Sequence, residues 1–180
     1  MDEPLVQGRE CGGCTACCVH LRIDTPELQK QADIACTNLI AGGCAIHATR
    51  PLICREWFCG WRQFDYLPDG MRPDRCGIIV RVEGGGVVLN AFRSTQDYLS
   101  PAALNLIGLA VANEVPVAIT TPARPGYMPC RHQLNAYLTA AVVARNRDQV
   151  HAIVSRVIEE GGLLPTEAEP AFIHPLRRMD

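Results

Sequence analysis

The apolar runs Ile78–Val82 and Val87–Phe92, separated by Glu83 and three glycines, predict a β-hairpin. Ser100-Pro101 is a helix start, and the residues that follow are apolar nearly all round, so a buried helix is expected there. Val115–Thr120 reads as a strand, after which Pro122, Pro125 and Pro129 break the chain. A final long helical region is expected next. Leu134, Leu138, Ala141 and Val142 share one face of it, and Val150, Ile153, Val154, Val157 and Ile158 continue the spacing until Gly161-Gly162 ends it. The tail with Pro165, Pro170 and Pro175 reads as irregular or loosely packed.

Upstream the pattern is shorter. Val19–Ile23 alternates and predicts a brief strand. Thr25-Pro26-Glu27 has the form of a capped helix start, with the helix ending near Ala35. Gly42-Gly43 marks a turn, and Arg50-Pro51 interrupts any helix before Cys54, which opens a new one. Residues 62–76 carry turn chemistry and read as a loop. The whole predicts an α+β fold. A cysteine-rich module over residues 1–64 packs on a hairpin-plus-helices scaffold over 65–180, as one compact unit.

A chain of 180 residues buries enough surface to fold without covalent staples, so its ten cysteines call for a chemical explanation. The N-terminal residues lack both a basic region and an apolar stretch, which argues against a secretory signal, and no apolar run is long enough to span a membrane. The cysteines are therefore expected to be reduced and cytoplasmic, which favours metal over disulfide. A net charge of −2 leaves no basic footprint, and no nucleic-acid partner is expected. Lys30 is the sole lysine among cations that are otherwise all arginine, a bias that reads as compositional.

Cys11, Cys14, Cys17 and Cys18 place four thiols in eight residues. The C-x-x-C-x-x-C run supplies three corners of an iron–sulfur cluster, with the fourth thiolate from elsewhere; C-x-x-C turns serve equally in tetrahedral zinc sites. Gly12, Gly13 and Ala16 keep the backbone slim, so N–H groups can approach the sulfurs. Adjacent side chains diverge on a helix and oppose each other on a strand. Cys17 and Cys18 can hardly share one ion, so one of them serves a second centre or is an apolar buried thiol. A second concentration follows at Cys36, Cys44, Cys54 and Cys59, with spacings of eight, ten and five that match no standard zinc finger.

With both blocks in view, the sequence resembles the bacterial cysteine-cluster family named for its CxxCxxCC motif and described as a zinc- or iron-chelating domain. The resemblance rests on Cys11–Cys18, Cys36 and the phrase Cys44-Ala-Ile-His47-Ala-Thr-Arg50-Pro51-Leu-Ile-Cys54-Arg55, and covers roughly residues 11–61. It implies a metal-binding module ligated by Cys11, Cys14, Cys17, Cys18, Cys36, Cys44, Cys54 and Cys59. It leaves the ion open between an iron–sulfur cluster and zinc. His47 stands where the family pattern usually has Tyr, and Cys59 where it commonly has Pro.

Eight thiolates allow one four-cysteine centre with spare thiols, two such centres, or a polynuclear cluster. Four thiolates around Zn²⁺, or around an oxidised four-iron core, leave two negative charges in excess and call for cations and N–H donors nearby. Arg50 and Arg55, which bracket Cys54, and Arg62 after Cys59 are the candidate donors to sulfur; solvated or carboxylate-paired arginines are the alternative. His47, three residues after Cys44, has a spacing that suits zinc, but a histidine filling an aromatic's place is the preferred reading. Trp57, Phe58 and Trp61 are expected to shield the centre. Cys76 and Cys130 read as structural. No catalytic acid–base pair can be named. The leading function is a cytoplasmic metalloprotein with an iron–sulfur cluster in a redox or modification-associated role. The alternatives are a structural or storage zinc protein and a thiol switch using Cys17–Cys18 or Cys76.

Overall fold

The computed structural model describes residues 5–124 and 126–174; Met1–Pro4, the expected breakpoint Pro125 and the chain from Pro175 lie outside them. The N-terminal part consists of short elements. These are helix α1 (Ala16–His20), the antiparallel pair β1 (Ile23–Asp24) and β2 (Gln29–Lys30), the antiparallel pair β3 (Leu39–Ile40) and β4 (Gly43–Cys44), and helices α2 (Leu52–Glu56) and α3 (Gly60–Gln63).

Two expectations fail here. The strand expected over Val19–Ile23 starts as helix, with Leu21 N–H donating to the Cys17 carbonyl, and only Ile23 joins a strand. No helix starts at Pro26. Thr25 Oγ1 accepts from Leu28 N–H at 3.1 Å and Thr25 N–H donates to the Leu28 carbonyl at 3.0 Å, which closes the turn between β1 and β2. The hydroxyl that caps a helix closes a tight turn equally well. Residues 62–76 are not plain loop either. After α3 they hold a 3₁₀ turn at Asp69–Met71 and the single-turn helix α4 (Pro73–Cys76).

The scaffold follows its hydrophobic pattern more closely. β5 (Ile78–Glu83) and β6 (Gly86–Ala91) form the expected hairpin, in register from Ile78↔Ala91 to Glu83↔Gly86. Ser100 Oγ accepts from Ala103 N–H, with Pro101 in the first turn, and starts α5 (Pro101–Ala112). That helix returns the chain to β7 (Val117–Thr121), parallel to β6. A fourth strand, β8 (Cys130–Gln133), pairs antiparallel with β7, giving the order β5-β6-β7-β8. The final helical region is two helices, α6 (Asn135–Val143) and α7 (Arg147–Gly161), separated where Arg145 adopts a φ of 53°. The fold is mixed α+β, and among the described residues no helix is long and apolar enough to cross a membrane.

All five residues of β7 are buried, as expected of an interior strand covered on both faces. Leu89, Ile119, Leu106, Ile107, Leu138 and Val154 form the centre of the core between sheet and helices. Tyr98 lies where β6 and β7 part. Phe92 N–H donates to the Gly77 carbonyl, so Ala91 N–H faces away from β5, and it donates to Tyr98 Oη at 2.7 Å. The phenol in turn donates to the Thr120 carbonyl at 2.6 Å.

Four connections set the cysteine-bearing part against this scaffold. A Cβ built on Gly60 would lie 2.6 Å from Val80 Cγ1, so α3 sits directly on β5 and only glycine fits. His20 stacks on Phe92 with ring centroids 4.2 Å apart. Arg9 donates to the carbonyls of Trp61, Phe64, Asp65 and Leu67 and binds the N-terminal loop to α3 and its exit. The tail, expected to be loose, forms a strap over the β1–β2 hairpin. Arg22 pairs with the buried Glu169 carboxylate at 3.1 Å and lies 4.4 Å from the Phe172 ring, while Asp24 accepts from the N–H groups of Ile173 and His174.

Candidate metal centre

All ten cysteines are free thiols. Cys11 and Cys14 flank a turn closed by Cys14 N–H donating to the Cys11 carbonyl at 2.9 Å, in which Gly12 has a φ of 53°. Arg72 Nη2 donates to the Cys11 carbonyl at 2.8 Å and holds this turn against α4. Cys17 and Cys18 occupy successive positions of α1 and therefore leave it in different directions. Cys36 N–H donates to the Cys18 carbonyl at 2.9 Å, Cys44 ends β4, Cys54 lies in α2, and Cys59 precedes α3. Cys11 is exposed and the other seven are half-buried.

Neighbouring thiols act on Cys17, Cys59 and Cys54. Cys17 is pushed far up by its hydrogen bond with Cys18, by burial, and by the charges of Cys18, Cys11 and Cys14. Cys59 is raised by burial and again by Cys11 and Cys14, against the N–H groups of Arg62 and Trp61. Cys54 is raised by burial and by Cys18, Cys36 and Cys44, with Arg50 opposing. Cys17 and Cys59 thus both feel the charges of Cys11 and Cys14, Cys54 feels those of Cys18, Cys36 and Cys44, and Cys17 also feels that of Cys18. Cys17 and Cys18 share a hydrogen bond. That bond brings Cys18 down to about 6, with burial opposing and Lys30 assisting. Among the described residues, no three or more Cys, His, Asp or Glu side chains are gathered closely enough to hold a metal ion as they stand.

The arginines meet the site in different ways. Arg62 Nη1 lies 3.8 Å from Cys11 Sγ and directs its N–H at the sulfur. Arg50 Nε donates to the Cys54 carbonyl at 3.0 Å rather than to sulfur, and its Nη1 donates to the His47 carbonyl at 2.7 Å. Arg55 is exposed, and its side chain makes no hydrogen bond or ion pair among the described residues. His47 is exposed beside Arg50, and His20 is engaged by Asp33 at 2.8 Å. Trp61 is buried, whereas Trp57 and Phe58 are half-buried. Cys76 accepts from Ile78 N–H at 3.3 Å within the scaffold, and Cys130 lies 3.6 Å from the Pro165 carbonyl.

The residue that the sequence reading passed over is Lys30. Its ammonium is buried and donates to the carbonyls of Val19, Gln31 and Ile34 at 2.6, 2.8 and 2.7 Å. The available signal was its being the only lysine in the chain. Comparison with protein families, curated proteins and solved structures gives no match for this chain.

Proposed function

We propose that this chain is a cytoplasmic metal-binding protein with two four-thiolate centres, Cys11/Cys14/Cys17/Cys59 and Cys18/Cys36/Cys44/Cys54. Iron–sulfur clusters with a redox or modification-associated role are the first reading, and structural or storage zinc the second. The observation that supports it is that the adjacent Cys17 and Cys18 leave α1 in different directions, with Cys17 and Cys59 both acted on by Cys11 and Cys14, and Cys54 by Cys18, Cys36 and Cys44. This answers the geometric difficulty of adjacent cysteines. It also agrees with the ligand set that the resemblance to the CxxCxxCC family implies.

The donor chemistry fits the group. All-sulfur sets of four suit zinc and iron–sulfur clusters and offer little to hard cations. Binding requires loss of the S–H protons, and four thiolates repel one another until a cation replaces repulsion with attraction. The sulfurs of each set therefore need to draw together only when metal arrives. A bound cluster would supply a one-electron acceptor; bound zinc would supply a cross-link.

The test is purification without oxygen followed by measurement of iron, zinc and acid-labile sulfide. Iron with sulfide supports the first reading, and stoichiometric zinc in a colourless sample supports the second. A folded protein without metal overturns both and leaves the thiol switch. Cys17→Ser and Cys18→Ser should each remove about half of the metal, since a four-cysteine site rarely survives loss of one ligand. Loss of all metal in either variant refutes the division into sets.

A further inference from the structure

We infer that Lys30 is the built-in counter-charge of the second thiolate set, a positioning residue whose buried ammonium offsets the excess negative charge of the metal-bound Cys18, Cys36, Cys44 and Cys54. The inference rests on the two-centre reading above and deepens it. Lys30 is 5 % exposed, and all three of its N–H donors go to neutral carbonyls. Those carbonyls belong to Val19, next to Cys18, to Gln31, and to Ile34, two residues before Cys36. The ammonium thus fastens the loop between the two cysteines from inside. A buried cation held only by neutral groups is costly to keep. Asp33, the nearby acid, is already engaged by His20 at 2.8 Å.

Of the charges that reach Lys30, that of Asp33 is the largest, followed by those of Cys36, Cys18 and Cys17. A four-thiolate centre carries two negative charges beyond its metal, and one unpaired cation beside it lowers the cost of both. The residue type fits as well. A compact ammonium directs its three N–H groups to the three carbonyls. In a chain that otherwise uses arginine throughout, this is the position where lysine stands.

The test measures zinc affinity by competition with a chromophoric chelator, using the full-length chain in two backgrounds. Cys17→Ser leaves the second set to report alone, and Cys18→Ser leaves the first. Lys30→Gln removes the charge but keeps hydrogen-bond donors; Lys30→Arg keeps the charge. Lys30→Gln should weaken zinc at the second set roughly 10–100-fold and leave the first within about twofold. Lys30→Arg should recover most of that loss. The inference is overturned if Lys30→Gln leaves the second set within about twofold, if it weakens both sets alike, or if Lys30→Arg binds as weakly as Lys30→Gln. Far-UV circular dichroism checks folding; where Lys30→Gln does not fold, Lys30→Arg decides, and near-native affinity is required of it. Wild-type protein that takes up no zinc or iron defeats the two-centre reading itself. Two intact centres with an indifferent Lys30→Gln defeat only the counter-charge.

Discussion

Gly60→Ala introduces a single methyl group between the cysteine-bearing segment and the sheet. Its Cβ would lie 2.6 Å from Val80 Cγ1, 3.0 Å from Val80 Cβ and 3.2 Å from Phe64 Cδ2. Carbon atoms rest about 3.5–4.0 Å apart, so α3 must move outward by about 1 Å. Val80 cannot turn aside, being 1 % exposed in the middle of β5. Overpacking of this kind costs about 1–3 kcal/mol, and about 2 kcal/mol is expected here, or roughly 4–8 °C in Tm for a chain of this size. Cys59 immediately precedes α3, so the displacement also moves a sulfur of the first set. Thermal denaturation of the metal-free protein, followed by circular dichroism, measures the stability term. Metal content in the Cys18→Ser background measures the displacement and should fall. Val80→Ala alone removes two buried methyl groups and should cost about 2 kcal/mol. The double variant should cost less than the sum of the two by about 1–2 kcal/mol, because the methyl then enters the space that valine vacates. Additivity within about 0.5 kcal/mol, or a Gly60→Ala protein as stable as wild type, refutes the contact as the seat of the effect.

Tyr98→Phe should destabilise by about 2–3 kcal/mol, since it strips Ala91 N–H and the Thr120 carbonyl of their buried partner; a shift in the urea midpoint without a change in slope is the expected signature. Burial works against the charge on Asp24, but the N–H groups of Ile173 and His174 and the His174 ring outweigh it and hold the carboxyl below its ordinary range. Its support for the strap is therefore full above about pH 4 and is lost as pH falls through the lowered value. Hydrogen-exchange protection at Ile173 and His174 in metal-free protein should follow that course, and an unchanged profile in Asp24→Asn would remove Asp24 as its cause.

The scaffold was legible where one signal had one meaning. Two short apolar, β-branched runs around Gly84-Gly85 admit little but a hairpin, and Ser100-Pro101 before an apolar stretch admits little but a helix start. Thr25-Pro26 was misread because a threonine hydroxyl that accepts from a nearby N–H serves a cap or a turn, and only the pairing of Asp24 with Gln29 decides between them. β8 went unseen because Cys130–Gln133 is short and polar, and its place is set by β7 rather than by its own residues. The break between α6 and α7 turns on one left-handed residue, Arg145, of a type that gives no warning of it. The eight candidate thiols could be named from the chain and the resemblance together. The nearness of Cys59 to Cys11 and Cys14 could not, because it depends on α3 lying against β5, which no local pattern announces. From the sequence Lys30 reads as a compositional accident, because no local pattern announces the three carbonyls that hold it.

The strap carries a consequence for the order of synthesis. Arg22 meets Glu169, which follows it by 147 residues, and Asp24 meets His174 at a separation of 150. A growing chain therefore presents Cys11 to Cys59, together with the residues of the β5–β6 hairpin, well before the segment that clasps the β1–β2 hairpin has been made. Sulfur comes first and the fastening last, and for the interval between them the loop around Lys30 lacks its clasp.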